Sequence, residues 1–110
     1  MLDLNRQFKT KYINEPRGIK IAKSFYNDGS IALILKSIEG EQLCIATINL
    51  AQYGEKPEPG NVFIKNYSEN EWVWEALHKA GIVGDAVRII EVGQFMSDVV
   101  ECPLLRKELK

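Results

Sequence analysis

NVFIKNYSENEWVWEALHKAGIV, from Asn61 to Val83, reads as a strand that feeds a helix, and it holds both tryptophans and the only histidine of the chain. Ser68 and Glu71 have the S-x-x-E spacing of a capping box. The hydroxyl accepts from the backbone N–H three residues on, and the carboxylate reaches back to the Ser68 N–H. Replacing Ser68 with Ala should cost about 1 kcal/mol. Glu69 and Glu71 put negative charge in the first turn, and His78 and Lys79 lie near the other end, as the helix dipole favours. Gly81 follows the last periodic residue and can take the left-handed conformation that closes a helix. The helix is therefore predicted over residues 69–80.

At about 100° per residue, Trp72, Val73, Ala76, Leu77 and Ala80 share one face, which must be covered. Trp74 falls away from that stripe, beside Glu71 and its i+4 neighbour His78. Two readings stand side by side. Trp74 covers the edge of the core or a neighbouring loop, or it is an exposed anchor for a partner, since Trp is enriched among interface hot spots.

With 110 residues, 45% hydrophobic and 26% charged content, one soluble domain spanning residues 1–110 around one core is expected. No apolar run approaches the roughly 20 residues of a membrane span. The N-terminus MLDLNRQFKTKY lacks the apolar centre of a secretory signal, so a cytoplasmic location and no membrane partner are expected. Cys44 and Cys102 lie in apolar, strand-like runs with no CxxC spacing, which reads as two reduced buried thiols, with a disulfide as the lesser alternative. Net charge is −1, from 14 basic and 15 acidic residues. The distribution is uneven: residues 1–23 carry six basic side chains against Asp3 and Glu15, and residues 39–85 carry eight acids against Lys56, Lys65 and Lys79. Mixed surface charge for solubility is the first explanation of this, and a binding face the second.

Leu4, Phe8 and Tyr12 recur at helical spacing while Leu2 and Leu4 also fit a strand, so residues 1–16 are expected to be a short helix or an irregular arm. NEPRG, residues 14–18, is turn chemistry. Ile19 to Tyr26, Ile31 to Ile38 and Gln42 to Leu50 follow as three strands, joined through Asn27-Asp28-Gly29 and Glu39-Gly40, which predicts an antiparallel meander with the middle strand buried on both faces or nearly so. Ala51 to Gly60 carries two prolines and two glycines and is a surface crossover or a functional loop, with Tyr53 as a further candidate contact residue. Val62 to Tyr67, Ala86 to Val92 and Asp98 to Leu104 complete the strands, with Pro103 placed as on a sheet edge. Residues 105–110 are expected to fray. The fold class is α+β: an antiparallel sheet of five or six strands with one principal helix on one face. The core is predicted at Ile31, Leu33, Leu35, Leu43, Ile45, Ile48, Phe63, Val73, Leu77, Ile89 and Val100.

Catalytic signatures are missing. One histidine and two cysteines 58 positions apart assemble no zinc motif of ordinary spacing. No G-x-x-x-x-G-K-[ST], G-x-G-x-x-G or G-x-S-x-G occurs. His78 reads as a surface or boundary histidine, and Glu69 and Glu71 are explained by their place at a helix start. The chain is thus expected to be no enzyme and to use no cofactor or metal. For nucleic acid, the basic N-terminal third with Phe8, Tyr12, Phe25 and Tyr26 interleaved is the candidate surface, although the domain-wide balance is not basic.

SIALILKSIEGEQLCIATINL, a Pro/Gly loop and then NVFIKNYSENEWVWEALHKAGIV resemble a family of short bacterial proteins of unknown function carried by plasmids, conjugative elements and phages. The resemblance covers roughly residues 30–83, through Thr47-Ile48-Asn49-Leu50, the V-F-I-K-[ND]-Y-S-E-N-E run and the closing A-G-I-V at Ala80 to Val83. Trp72-Val73-Trp74 departs from the family pattern, where small or aliphatic residues are usual, and the N-terminal arm has no counterpart in it. The family carries no activity to transfer. It implies an accessory protein of a mobile element. Together with the missing chemistry, this leads to a protein-binding module using Trp74, His78, Glu71 or Tyr53, with an unidentified protein or a second copy of the chain as partner. The alternative is a nucleic-acid-associated protein that uses the basic N-terminal third.

Overall fold

Apolar residues crowd positions 19–50 and are interrupted by two glycine-containing turns, and this stretch folds as an antiparallel meander in the computed structural model, which describes residues 2–67, 70–94 and 97–110. In chain order the strands are β1 (Leu2–Leu4), β2 (Phe8–Lys9), β3 (Asn14–Glu15), β4 (Ile19–Phe25), β5 (Ile31–Ser37), β6 (Gln42–Ile45), β7 (Asn61–Lys65), β8 (Arg88–Val92) and β9 (Ser97–Pro103), with the helix α1 (Val73–Lys79) between β7 and β8. The α+β class stands: antiparallel sheet with one α-helix among the described residues. The single sheet of five or six strands does not. The strands divide into a four-stranded sheet, β1-β4-β5-β6, a three-stranded sheet, β7-β9-β8, and the small hairpin β2-β3.

The meander is closed by tight turns, with the Gly29 N–H donating to Tyr26 O and the Gly40 N–H to Ser37 O. After Ile45 the chain leaves β5 and crosses to β7. Ala46 donates its N–H to Leu33 O at 2.9 Å, Ile48 donates to Phe63 O at 3.1 Å, and Thr47 bridges Ile64. Residues 46–48 therefore stitch the two sheets together. Thr47 is 1% exposed, and its hydroxyl accepts the Leu33 N–H at 3.1 Å and bonds the Tyr26 hydroxyl at 3.0 Å.

The inner faces of both sheets, α1 and both chain ends enclose the main core. It includes Ile19, Ile21, Leu33, Leu35, Ile64, Val73, Leu77, Val100 and Cys102. A second cluster of Leu50, Phe63 and Val99 lies on the other face of the three-stranded sheet, with Ile48, Tyr67, Ile90 and Val92 packed on it.

Several expectations are corrected. Residues 1–16 are no helix or arm: Leu2 and Leu4 are buried and pair with Ile21 and Ile19, so the alternating period prevails over the helical one. Gly18 makes this pairing feasible. Its φ is +101° and a Cβ there would collide with Leu4 O. The tail does not fray: Leu109 is fully buried in a 3-10 turn, Lys107–Leu109, and Lys23 Nζ donates to Lys110 O at 2.7 Å.

Ile45 is 37% exposed because a bulge between Leu35 and Lys36 makes Leu43 the extra residue of β6. Cys44 then faces Leu35, and Ile45 is turned outward. Ile89 is 61% exposed because β8 is an edge strand. Ile31, Leu43 and Ile48 are half-buried, while Leu33, Leu35, Phe63, Val73, Leu77 and Val100 are buried as predicted. Pro103 is not on an edge, since β9 is the central strand; it is tolerated as the last residue, where its carbonyl accepts the Gly84 N–H.

The helix begins later than predicted, at Val73, with Trp72 at the N-cap position and no side-chain cap. Glu71 thus precedes the helix, and Glu75 is the acid of its first turn. Ser68 and Glu69, and so the capping box, lie outside the described residues. The other end is as expected. Gly81, at φ +75°, donates to His78 O and Ile82 donates to Leu77 O at 2.9 Å, the paired bonds of a Schellman closure, with Ile82 and Leu77 both fully buried.

Candidate functional site

Because Val73 and Leu77 fix the buried side of α1, its remaining residues fall on two flanks. Trp74 and His78 occupy the flank facing the segment that follows the helix. Trp74 is half-buried against the main core, and its Nε1–H donates to Gly84 O at 3.3 Å. Its ring lies 4.9 Å from the His78 ring, tilted by 33°. Nε2 of His78 in turn meets Asp85 Oδ1 at 2.7 Å. A chain of contacts thus runs Asp85–His78–Trp74–Gly84, tying the helix to the loop beyond it. Trp74 covers a neighbouring loop, and it does so while keeping part of its ring in solvent.

The other named candidates do not join it. Glu71 is exposed ahead of the helix. Tyr53, 50% exposed in the 3-10 turn Ala51–Tyr53, sits near Gly93 at the β8–β9 turn, whereas Gly84 bonds Pro103 at the opposite end of the same sheet. The basic residues separate likewise. Lys9 and Lys11 lie beside the second flank of α1, while Lys20 is on β4 opposite Asp3 and Lys36.

Two features escaped sequence reasoning. Val87, just before β8, and Ile89, within it, are 59% and 61% exposed, and β8 pairs only with β9 among the described strands. Leu105, half exposed, packs beside Gly84 and Pro103. The sequence AVRIIEV signals a strand but not which side of it stays uncovered. The second feature is Glu101, 1% exposed between Val100 and Cys102 in the buried half of β9. Its Oε2 accepts from Asn61 Nδ2 and from the Glu58 N–H, both at 2.9 Å, and its Oε1 accepts from Arg88 Nε at 2.8 Å. Arg88 also reaches Glu55 at 3.2 Å and lies over the Phe63 ring. Burial pushes the Glu101 carboxyl upward, yet the bonds from Asn61, Glu58 and Arg88 outweigh it and hold the group below its ordinary range. An acid set among apolar residues, Glu101 in V-V-E-C-P, is the available signal.

The chemistry of these groups is that of clamps. Burial raises the Cys44 thiol to about 11 and the Cys102 thiol to about 12, so neither is a ready nucleophile at neutral pH. Both are free, Cys102 buried and Cys44 half-buried. Among the described residues no group of His, Cys, Asp and Glu is arranged to hold a metal ion, and no helix is long and apolar enough to cross a membrane. No protein-family model, no curated protein and no solved structure matches this chain.

Proposed function

We propose that the chain is a small, non-catalytic accessory protein of a bacterial mobile element that works in the cytoplasm by engaging another protein at the Trp74–β8 end of the three-stranded sheet. The observation that carries the reading is the uncovered apolar surface at an edge strand: Ile89 on β8 and Val87 just before it stand in solvent. Edges of soluble proteins are ordinarily blunted by charge, proline or a covering loop, because an open apolar edge is a template for another strand. Trp74 bonds the carbonyl of Gly84, three residues before Val87, and it is already fixed by that bond and its stack on His78. A pre-ordered indole loses little entropy on binding. The buried, weakly acidic thiols support the non-catalytic part of the reading, and the resemblance over residues 30–83 supports the mobile-element setting.

The test is affinity capture from bacterial lysate, with and without nuclease, using the parent, Ile89→Lys and Trp74→Ala, alongside sedimentation of the purified chain. A protein held by the parent regardless of nuclease and lost with Ile89→Lys is the expected result. Concentration-dependent dimerisation abolished by the same substitution would identify the partner as a second copy. Retention of the same proteins by parent and both variants removes the surface from consideration.

A further inference from the structure

The second flank of α1 has a different character from the Trp74 flank. Here Ala76 and Ala80 form a low floor, and the hairpin β2-β3 rises beside it, leaving two adjoining depressions of about 260 and 290 Å³. Arg6, Lys9 and Lys79 line the first; Lys9, Lys11 and Lys79 line the second. Four exposed cations from two distant segments thus face one furrow, against a single lining carboxylate, Glu75. The described ion pairs use Arg17, His78, Arg88 and Arg106, and none of these four. Among the described residues Arg6 donates to Lys79 O, at 3.5 Å, which sets its guanidinium at the mouth of the furrow.

Past Trp72 a third depression continues, lined by Tyr12, Ile13, Leu43, Cys44, Asn70 and Trp72, and the cations of the first two are replaced there by an aromatic ring. The Tyr12 ring is 52% exposed with Lys11 Nζ 5.5 Å from its centre. The backbone that carries it is fixed, because Thr10 Oγ1 accepts from the Tyr12 and Ile13 N–H groups and Thr10 N donates to Ile13 O at 2.7 Å. Phe8 packs edge-on against Trp72, 6.3 Å between ring centres, and locks hairpin to helix.

We infer that this furrow binds single-stranded nucleic acid, with the phosphates tracked by Arg6, Lys9, Lys11 and Lys79 and a base stacked on Tyr12. A row of cations leading to an exposed aromatic face is the arrangement that single strands use, phosphate track beside stacking platform. A duplex keeps its bases stacked inside and would leave the Tyr12 face without a ligand, and an acidic peptide would use the cations but not the ring. The surface is separate from the Trp74–β8 end, on the opposite flank of the same helix.

The salt dependence gives the test its arithmetic. Four phosphate contacts on a single strand predict a slope of about −2.8 in log affinity against log salt, or about a 50-fold loss between about 50 and 200 mM. Fluorescence anisotropy with labelled oligo(dT) and oligo(U) measures it. Lys79→Gln is expected to lower the slope by about 0.7 and Lys9→Gln with Lys79→Gln by about 1.4, while Lys107→Gln, outside the furrow, leaves it unchanged. Tyr12→Ala is expected to weaken binding about fivefold or more with the slope intact. These positions are all exposed, and circular dichroism checks that each variant is folded. Absence of binding at about 50 mM salt, a slope indifferent to Lys9 and Lys79, or tighter binding of duplex than of single strand would each overturn the inference.

Discussion

In the four-stranded sheet each of the β4–β5 and β5–β6 pairs is closed by a short turn and its inner face carries no buried charge, with Ile19, Ile21, Leu33 and Leu35 all at 0% exposure and Ser37 the buried polar residue beside them. In the three-stranded sheet the central strand β9 comes last, after β7, the helix and β8, and it carries a buried carboxylate. The first sheet is held by burial between neighbours in sequence. The second needs a polar clamp as well, and that clamp also fastens the proline-rich loop through the Glu58 N–H and Arg88–Glu55. One short chain thus uses two ways of making a sheet, and substitutions can separate them.

The largest effect is expected at Glu101. Glu101→Ala removes the acceptor for Asn61 Nδ2, the Glu58 N–H and Arg88 Nε together. Breaking a buried charge pair ordinarily costs about 3–5 kcal/mol, and the lower end applies because Arg88 stays within reach of water. We therefore expect about 3 kcal/mol, read as a fall in the urea midpoint with little change in slope. An unchanged midpoint would mean that the two sheets are held alike. The same group sets a pH dependence. Its folded pKa lies below the ordinary 4.5, so its contribution is complete above that value and is lost as pH falls through the folded pKa. The stability gap between parent and Glu101→Gln should accordingly narrow on acidification below about pH 4.5.

Next comes the seam between the sheets. Thr47→Val keeps the shape but leaves the buried Leu33 N–H without its acceptor and the Tyr26 hydroxyl without its partner. About 2 kcal/mol of destabilisation follows if the hydroxyl is what joins the sheets. Thr47→Ser, which retains it, should lose clearly less. Equal losses would assign the seam to the Thr47 methyl group instead.

These two residues also show where the sequence was legible. The meander could be read because its turns and alternating apolar residues are local, and the helix end could be read because Gly81 and the Leu77 position are fixed by helical period. The bulge at Leu35 and Lys36 could not, and it reversed the facing of Ile45. Leu2 and Leu4 satisfied two periods at once, and only pairing with β4, made possible by Gly18, selects one. Trp74 was recognised as out of place on the helix, but the Gly84 carbonyl it bonds belongs to a turn whose position depends on β9. Ile89 reads as core from the sequence because a strand pattern does not reveal that its strand is an edge.

A smaller effect probes the join between the helix and the three-stranded sheet. Gly81→Ala meets open space around the new Cβ, so the strain of φ +75° is its only cost. About 1 kcal/mol is expected, measurable as a lowered Tm. A neutral result would mean that Ile82 and Leu77 close the helix without the Schellman geometry.

The smallest stability effect is expected where the proposed functional effect is greatest. Ile89 pairs with Val100 in register, yet its side chain is 61% exposed and belongs to neither apolar cluster. Exposed substitutions away from such features usually change stability by less than about 0.5 kcal/mol, so Ile89→Lys should unfold at nearly the parental urea concentration. If β8 is an open docking edge, the same lysine desolvates a charge in the bound state and abolishes capture of the partner. Loss of stability and capture together would place Ile89 among the groups that hold the sheet. Loss of capture alone would make β8 the strand on which the fold spends no stabilisation and from which binding draws it.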